Sequence, residues 1–354
     1  MSQKKYRAGA ISRRGFLKTL GVGSAGALIP AAPALAAQDR VPAPSEGELA
    51  TLLDLSKCIG CGACVEACRA SNGAKFPEPV KPFPDMLPSR RAKPEDWSDM
   101  REVDDRLTPY NWLFLQNAEV EYQGESYDIN IPRRCMHCQN PPCANMCPFG
   151  AANKQVNGLT RISPNLCMGG AKCRAVCPWH IPQRQSGVGL YRHLMPRLAG
   201  NGVMYKCDRC YQLLDQGELP ACIEVCPEDV QTIGPRHEIV ARAKELAKEM
   251  NGFIYGLEEN GGTNTLYVSP VPFELVTQVI DKDSGPGVKK SGKGKKKRSP
   301  LGPGKPHMGP VKDVMADETN LAAAAFVAPV AGIAAGVLGL GSKLLNKGEG
   351  GNED

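Results

Sequence analysis

Fifteen cysteines, gathered in four tight groups with long gaps between them, constrain this chain of 354 residues more than any other feature of its sequence. Each group contains cysteines separated by only two or three residues, a spacing at which several thiolates can converge on one metal or cluster. Because the number of cysteines is odd, the pattern argues against a complete disulfide framework. The distribution predicts a loop-rich protein whose interior is organised partly by bound metal.

The first group, Cys58-x2-Cys61-x2-Cys64-x3-Cys68, has the spacing of a bacterial ferredoxin run. In such a run the first three thiolates bind one cubane cluster, and the fourth reaches a neighbouring cluster. Three thiolates must point inward from one tight loop, so glycine is favoured where the backbone crowds the cluster. The other cysteines form the second group (Cys135, Cys138, Cys143, Cys147), the third group (Cys167, Cys173, Cys177) and the fourth group (Cys207, Cys210, Cys222, Cys226).

Each of the last three groups ends in Cys-Pro, where proline stops further pairing of the chain and turns it. Four groups predict two ferredoxin-like pairs, and the spacing alone leaves open which groups pair. Structural zinc is the main alternative, because it also uses Cys-x2-Cys knuckles. A zinc site takes four ligands from two knuckles, however, and does not explain the recurrent isolated fourth cysteine. The pattern therefore favours iron–sulfur clusters over a zinc-stapled structural scaffold.

The sequence indicates no other chemistry. It contains no Cys-x2-Cys-His motif for covalent haem, and its five histidines show no ligand spacing. We find no supported nucleophile–base pair and no phosphate-binding loop. His137 lies inside the second group and is expected to hydrogen-bond near a cluster rather than to ligate one. The prediction is electron transfer without a catalytic site in this chain.

The N-terminal segment 1–36 has the three parts of an export signal. Basic residues that include Arg13 and Arg14 precede Phe16-Leu17-Lys18, a mild apolar stretch follows, and the segment ends in Ala34-Leu35-Ala36. The paired arginines predict the twin-arginine route, which exports folded proteins with their cofactors already loaded. We therefore expect a periplasmic location in spite of the many free cysteines. Whether the signal is cleaved stays open.

The distribution of charge argues against nucleic-acid binding. Residues 1–36 carry six basic residues and no acidic one, which equals the net charge of +6 for the whole chain. A nucleic-acid binder would instead spread basic charge over a folded face. A second basic run, Lys289 to Arg298, lies in a stretch rich in glycine and proline that cannot bury a core. It predicts a solvated linker at 281–320, with some attraction to anionic lipid.

The rest of the chain divides by composition. A four-cluster domain is predicted at 50–234, with an insert at 70–134 whose first half is proline-rich and whose second half alternates like strands. A C-terminal cap at 235–280 follows the cysteines. In this cap we expect a helix from Pro235 to Met250 and a strand from Thr265 to Val271.

The segment 321–342 contains 22 residues without a charge, which is long enough to cross a bilayer as a helix. A soluble packed helix is the competing interpretation, but nothing nearby would cover so continuous an apolar surface. Lys343 and Lys347 follow the segment, as expected for a cytoplasmic end after an exported body. The sequence therefore predicts a C-terminal transmembrane anchor.

The cysteine motifs resemble those of a known family, the four-cluster electron-transfer subunits of the DMSO reductase iron–sulfur subunit type. The similar motifs are Cys135-Met136-His137-Cys138-Gln139-Asn140-Pro141-Pro142-Cys143, Lys206-Cys207-Asp208-Arg209-Cys210 and Pro220-Ala221-Cys222. The export signal, the tail segment and the stretch from Gly261 to Glu274 narrow the resemblance to periplasmic subunits of hydrogenase-2-type [NiFe] complexes. This resemblance implies an α+β fold of two ferredoxin-like units with inserts, followed by a transmembrane helix.

The resemblance also implies that the first cysteine group pairs with the fourth, and the second with the third. The implied ligand sets are set one (Cys58, Cys61, Cys64, Cys226), set two (Cys207, Cys210, Cys222, Cys68), set three (Cys135, Cys138, Cys143, Cys177) and set four (Cys167, Cys173, Cys147). Gly170 stands where the family pattern has a further cysteine of set four. Related nitrate-reductase-type subunits also replace this cysteine. The expected cofactors are therefore three [4Fe–4S] clusters and one [3Fe–4S] cluster, or a fourth [4Fe–4S] cluster with a non-cysteine ligand.

For function, the resemblance implies an electron relay in a larger complex. The expected partners are a periplasmic catalytic subunit, a [NiFe] hydrogenase in the narrower resemblance, and an integral membrane subunit that reacts with quinone. The same relay could serve a molybdopterin oxidoreductase for formate, polysulfide or a similar substrate. A zinc-stapled scaffold is the alternative from another class of protein.

Overall fold

The computed structural model describes residues 47–87, 93–197, 201–282, 304–322 and 324. The predicted export signal, much of the predicted linker and nearly all of the predicted membrane segment lie outside these residues. All fifteen cysteines lie inside them, and none is joined in a disulfide.

The described chain contains both short strands and short helices, and most of its strand pairs are antiparallel, as expected for an α+β fold. The strands are β1 (Leu49–Asp54), β2 (Phe114–Tyr122), β3 (Glu125–Arg133), β4 (Ala152–Lys154), β5 (Thr160–Ile162), β6 (Gln183–Ser186), β7 (Gly202–Tyr205), β8 (Gln231–Pro235), β9 (Phe253–Tyr255) and β10 (Thr265–Ser269). The helices are α1 (Ala63–Asn72), α2 (Pro142–Asn145), α3 (Lys172–Val176), α4 (Tyr191–Leu194), α5 (Tyr211–Leu214), α6 (Ala221–Glu224), α7 (Arg236–Glu249) and α8 (Phe273–Lys282). Most of these helices are only about one turn long and most of the strands are short, so loops form much of the structure.

A four-stranded mixed sheet, in the order β8-β1-β10-β9, joins the two ends of the cysteine-rich region. Strand β1 pairs in parallel with β10, where Thr51 lies opposite Thr265, and antiparallel with β8. Every residue of β1 and β10 is buried, as is typical of central strands covered on both faces. The sheet therefore places the loop after β1, which begins the first cysteine group, beside the segments that follow the fourth group.

Helix α7 covers one face of this sheet. Ile239, Ala243 and Ala247 recur at a spacing of four residues and pack against apolar side chains of β1 and β10. The helix and strand that the sequence predicts at 235–250 and 265–271 are both confirmed, with the strand ending two residues earlier than expected.

A β-hairpin forms the second half of the insert. Strands β2 and β3 pair along their whole length, with Asn117 opposite Asn130, and a two-residue turn at Gln123 and Gly124 joins them. Both turn residues have positive φ, the conformation that suits the right-handed twist of a tight hairpin. The strands expected from the alternation in this part of the insert are therefore confirmed. Apolar residues of the hairpin share a core with α8.

Across the residues that the structure describes, no helix has both the length and the apolar composition needed to span a membrane.

Candidate iron–sulfur sites

The four cysteines of set one line one cavity. Three of them lie in the loop before α1 and in its first turn, and Cys226 follows α6. The loop is tight, with φ values of 69° at Gly60 and 78° at Gly62, a region that favours glycine. A Cβ atom at Gly60 would lie 2.8 Å from the Asn130 side chain of the β2–β3 hairpin, so a larger residue there would require that side chain to shift. The local sequence thus turns three thiols toward one space.

Helix α1 links set one to set two. Cys64 and Cys68 are four residues apart, so their side chains lie on the same side of the helix, and both are buried. The Cys68 thiol interacts electrostatically with the other three thiols of set two. The Asn72 side-chain amide, at the end of α1, lies 3.7 Å from Cys68 Sγ and 3.8 Å from Cys210 Sγ. The structure therefore brings the fourth cysteine of the first group to the cysteines of the last group.

Set three lines a second cavity. Cys143 lies in α2, which begins at Pro142, and Cys177 directly follows α3. Four cysteines that converge on one cavity form the ligand set that holds a [4Fe–4S] cluster. The Lys206 side chain also lines this cavity.

Set four brings together Cys147, Cys167 and Cys173, whose thiols interact electrostatically. Backbone N–H groups of Ala152 and Met204 each donate to a set-four sulfur at 3.4 Å. A Cβ atom at Gly170 would meet no other atom within 4 Å, so this position has room for a side chain. The structure thus shows three thiols and open space where the family pattern has a further cysteine.

Burial opposes the ionisation of several of these thiols. It raises the pKa of Cys64, Cys143 and Cys207 to about 12 and that of Cys177 to about 11. A buried thiolate is costly unless positive charge compensates it. Iron ions would supply that charge, and ligation requires deprotonated cysteine. The four sets therefore fit iron–sulfur clusters in donor chemistry, and the four cysteines of set one and of set three also converge on one cavity each.

The four sets form a row. Helix α6 carries Cys222 of set two and is followed by Cys226 of set one. The Cys207 thiol of set two interacts electrostatically with Cys135 of set three. The Cys143 thiol of set three in turn interacts electrostatically with Cys173 of set four. The spatial order is therefore one, two, three, four, although the chain visits the sets in a different order.

His137 is buried near set three and contacts the chain around it as a neutral ring. Its Nδ1 accepts a hydrogen bond from the Thr160 backbone N–H at 3.1 Å, and its own backbone N–H donates to Cys135 Sγ at 3.5 Å. Burial lowers its pKa well below the usual value, and nearby Arg209 and Lys206 lower it further. The expectation of a hydrogen-bonding role beside a cluster agrees with these contacts.

Three buried basic side chains around set two received no role from the sequence. Arg134, Lys206 and Arg209 are 2%, 6% and 2% exposed. Arg209 donates to the backbone oxygens of Leu49 and Asn264, whereas Arg134 donates to the Cys222 sulfur. Their positions directly before or between cysteines were visible in the sequence. Nothing in the spacing, however, distinguishes a buried cation from an exposed one.

Comparisons with known proteins identify iron–sulfur domains in this chain. Two family models, each described as a 4Fe-4S dicluster domain, match residues 57–151 and 127–236. The chain is 30% identical over 304 residues to the hydrogenase-2 operon protein HybA of Escherichia coli O157:H7, covering 75% of this chain and 82% of that protein. It is 28% identical over 241 residues to the iron–sulfur subunit of nitrate-inducible formate dehydrogenase of Escherichia coli K12, covering 63% and 68%. It is also 30% identical over 230 residues to the protein NrfC of the same strain, covering 64% and 82%.

The thiol sets, the two dicluster domains and these relatives define a class of protein that holds 4Fe-4S clusters for electron transport. The chain belongs to the family of 4Fe-4S electron-transfer subunits of multi-subunit oxidoreductase complexes. In this family the subunit carries electrons and is not itself the catalyst.

Proposed function

We propose that this chain relays electrons between a periplasmic catalytic subunit and an integral membrane subunit that reacts with quinone. The single observation that carries the proposal is the row of four thiol sets, held side by side by α1, α6 and their neighbours. Electrons tunnel only over short gaps, so adjacent clusters can form a conducting path through the protein. When bound, the clusters supply one-electron redox chemistry, while the chain holds, orders and insulates them.

The ligands of this path are the four sets defined above. Sets one, two and three each have four cysteines and would each hold a [4Fe–4S] cluster. Set four has three cysteines and open space at Gly170, which supports a [3Fe–4S] cluster. A fourth [4Fe–4S] cluster with a non-cysteine ligand is the alternative at this position.

The catalytic partner is proposed to be a [NiFe] hydrogenase. The similarity to the hydrogenase-2 operon protein HybA supports it, because that relative is matched over 82% of its own length. A molybdopterin enzyme such as a formate dehydrogenase is the second candidate, since an iron–sulfur subunit of formate dehydrogenase is also a relative. In both cases the cofactor-bearing active site lies in the partner.

The proposed location is the periplasmic side of the inner membrane. The twin-arginine pattern at 1–36 supports export of the folded, cluster-loaded chain. The uncharged segment 321–342 would anchor the C-terminus and contact the membrane subunit, with the basic linker at 281–320 near the lipid surface. The domain boundaries at 50–234 and 235–280 belong to the same proposal.

The test is to purify the native complex from membranes through an affinity tag on this chain and to identify its large subunit by mass spectrometry. We expect a [NiFe] hydrogenase large subunit, together with iron and acid-labile sulfide in the chain. A molybdopterin subunit in its place would favour the second candidate. A colourless chain that contains zinc and no labile sulfide would overturn the relay itself in favour of a structural scaffold.

A further inference from the structure

Arg134 is a buried cation whose hydrogen-bonding partner is a cysteine sulfur. It directly follows β3, is 2% exposed, and donates from Nη1 to Cys222 Sγ at 2.9 Å. Its Nε and Nη2 atoms have no hydrogen-bond partner among the described residues. No carboxylate of the described residues forms an ion pair with it. The guanidinium is therefore held against the thiols of set two rather than against an acidic side chain.

The Arg134 guanidinium acts on thiols of two sets. The guanidinium interacts electrostatically with Cys222 and Cys207 of set two and with Cys64 of set one. A guanidinium stays protonated in proteins, and burying it without a counter-charge is strongly unfavourable. Four thiolates around an iron–sulfur cage give that site a net negative charge. The cation and the loaded site would therefore compensate each other in an interior where electrostatic interactions are strong.

The other charged groups near set two do not cancel this effect. Lys206 and Arg209 are also buried and have the same sign. Asp208 is the acidic group near the Cys207 thiol, and its carboxylate is paired with Lys75 at 2.8 Å. The surroundings of set two thus remain net positive among the described residues.

We propose that Arg134 is a fixed counter-ion that raises the reduction potential of the cluster in set two and, to a smaller extent, that of the cluster in set one. Reduction adds one electron to a cluster, and a cation in contact with a ligating sulfur stabilises that added charge. Hydrogen bonds to the sulfurs, net charge and burial are known determinants of cluster potentials. This inference rests on the proposed cluster sites and assigns to Arg134 the tuning of one step in the relay.

The neighbouring Arg133 provides a matched control. It is equally buried, at 1% exposure, but its Nη2 donates to the His307 backbone oxygen at 2.8 Å. Its guanidinium lies 5.8 Å from the centre of the Tyr267 ring. The charges that act on it come from tyrosines and not from cysteines. Removing Arg133 therefore deletes a buried cation of the same type without a direct effect on set two.

The experiment compares full-length cluster-loaded protein carrying Arg134→Gln, Arg134→Lys or Arg133→Gln with the unsubstituted protein. Iron and sulfide content are measured first, followed by redox titration with EPR detection of each cluster. For Arg134→Gln we expect at least a tenfold loss in the equilibrium constant for reducing one [4Fe–4S] cluster, which is about 59 mV for one electron. A smaller shift of a second cluster should accompany it. Arg134→Lys should show less than half of this effect, and Arg133→Gln should leave all potentials unchanged.

An Arg134→Gln protein with full iron content and unchanged potentials would overturn the inference. So would equal shifts from Arg133→Gln, since these would indicate a general structural effect. If Arg134→Gln loses the cluster, the lysine variant decides. Retention of the cluster by Arg134→Lys supports charge compensation, and its loss there contradicts it. Zinc or an absence of labile sulfide in the unsubstituted protein would instead show that the proposed function has failed.

Discussion

Sets one and two form one pair, and sets three and four form the other. Both pairs are built from short helices that carry cysteines, but the second pair lacks one thiol. In the first pair, α1 carries cysteines of both sets, α6 carries Cys222 and is followed by Cys226, and eight thiols surround two sites. In the second pair, α2 and α3 play the corresponding part, but Gly170 leaves set four with three thiols. In both pairs short helices bring cysteines of two sets together, and the single residue Gly170 accounts for the thiol that set four lacks.

The two pairs also differ in what holds them. The first pair lies against the four-stranded sheet and contains the buried cation Arg134. In the second pair, the loop that carries Gly170 is held by the insert. Arg184 donates to the Gly169 backbone oxygen at 2.9 Å, and Glu95 of the insert binds both Arg184 and Arg174. A buried guanidinium therefore contacts a sulfur directly in the first pair, whereas in the second pair the Arg184 guanidinium contacts the backbone of the loop that carries Gly170.

The largest expected effect comes from removing a cysteine from α1, the helix that carries thiols of both sets of the first pair. Cys68→Ala should abolish the cluster of set two and leave that of set one, whereas Cys64→Ala should do the opposite, because the two thiols face different sites. Iron analysis and low-temperature EPR of each variant provide the measurement. If both variants lost the same spectral component, α1 would not link two sites and the assigned pairing would be wrong.

In the second pair, Gly170→Cys should add a fourth ligand to set four. We expect one additional iron per chain and loss of the EPR signal of an oxidised three-iron cluster, because the position has room for a side chain. Gly169→Cys is the matched control. Its φ is 71°, and its Cβ would lie 2.7 Å from the Gly202 backbone, so it should impair folding and add no iron. A parent protein that already lacks the three-iron signal would argue for a non-cysteine ligand instead.

The contacts of Glu95, in the insert, with Arg174 and Arg184 predict a smaller effect, which concerns the stability of the fold. Glu95 receives two hydrogen bonds from Arg174, at 2.6 and 2.7 Å, and one from Arg184 at 2.7 Å. Glu95→Gln leaves two partly buried guanidiniums without their carboxylate and should lower the free energy of unfolding by about 1–3 kcal/mol. Thermal unfolding checks this. Glu78→Gln removes a similar contact with Arg101 from the exposed surface and should have no measurable effect.

The pH dependence of these contacts follows from the direction in which the pKa of Glu95 shifts. Burial opposes ionisation of Glu95, but Arg174 and Arg184 outweigh it and lower its pKa in the folded chain. A lowered pKa gives stability that is present above the unfolded value of about 4.3 and is lost only as pH falls through the folded value. The cost of Glu95→Gln should therefore be constant from about pH 5 to 8. A cost that declines within this window would contradict the ion pairing.

The sequence predicts local features of this structure but not the contacts between distant parts of the chain. The cysteine spacing, the stripe of Ile239 and Ala243 in α7 and the alternation of the β2–β3 hairpin are local periodicities, and they predict their elements correctly. The parallel pairing of Thr51 with Thr265 joins distant parts of the chain and leaves no local pattern. The same holds for Arg134, because only the folded chain brings it to Cys222.

The smallest predicted effect that distinguishes the two pairs is a shift in cluster potential when Asn72 is substituted. Its amide lies 3.7–3.8 Å from two sulfurs of set two, a long contact compared with the 2.9 Å bond from Arg134. Asn72→Ala removes a weak neutral donor and should lower the potential of this cluster by much less than the tenfold change expected for Arg134→Gln. Asn72→Asp places an anion at the same point and should lower it further. Because α1 ends far from set four in the row, redox titration should show no change there. Equal shifts across both pairs would mean that the substitution acts through folding rather than through the sulfurs.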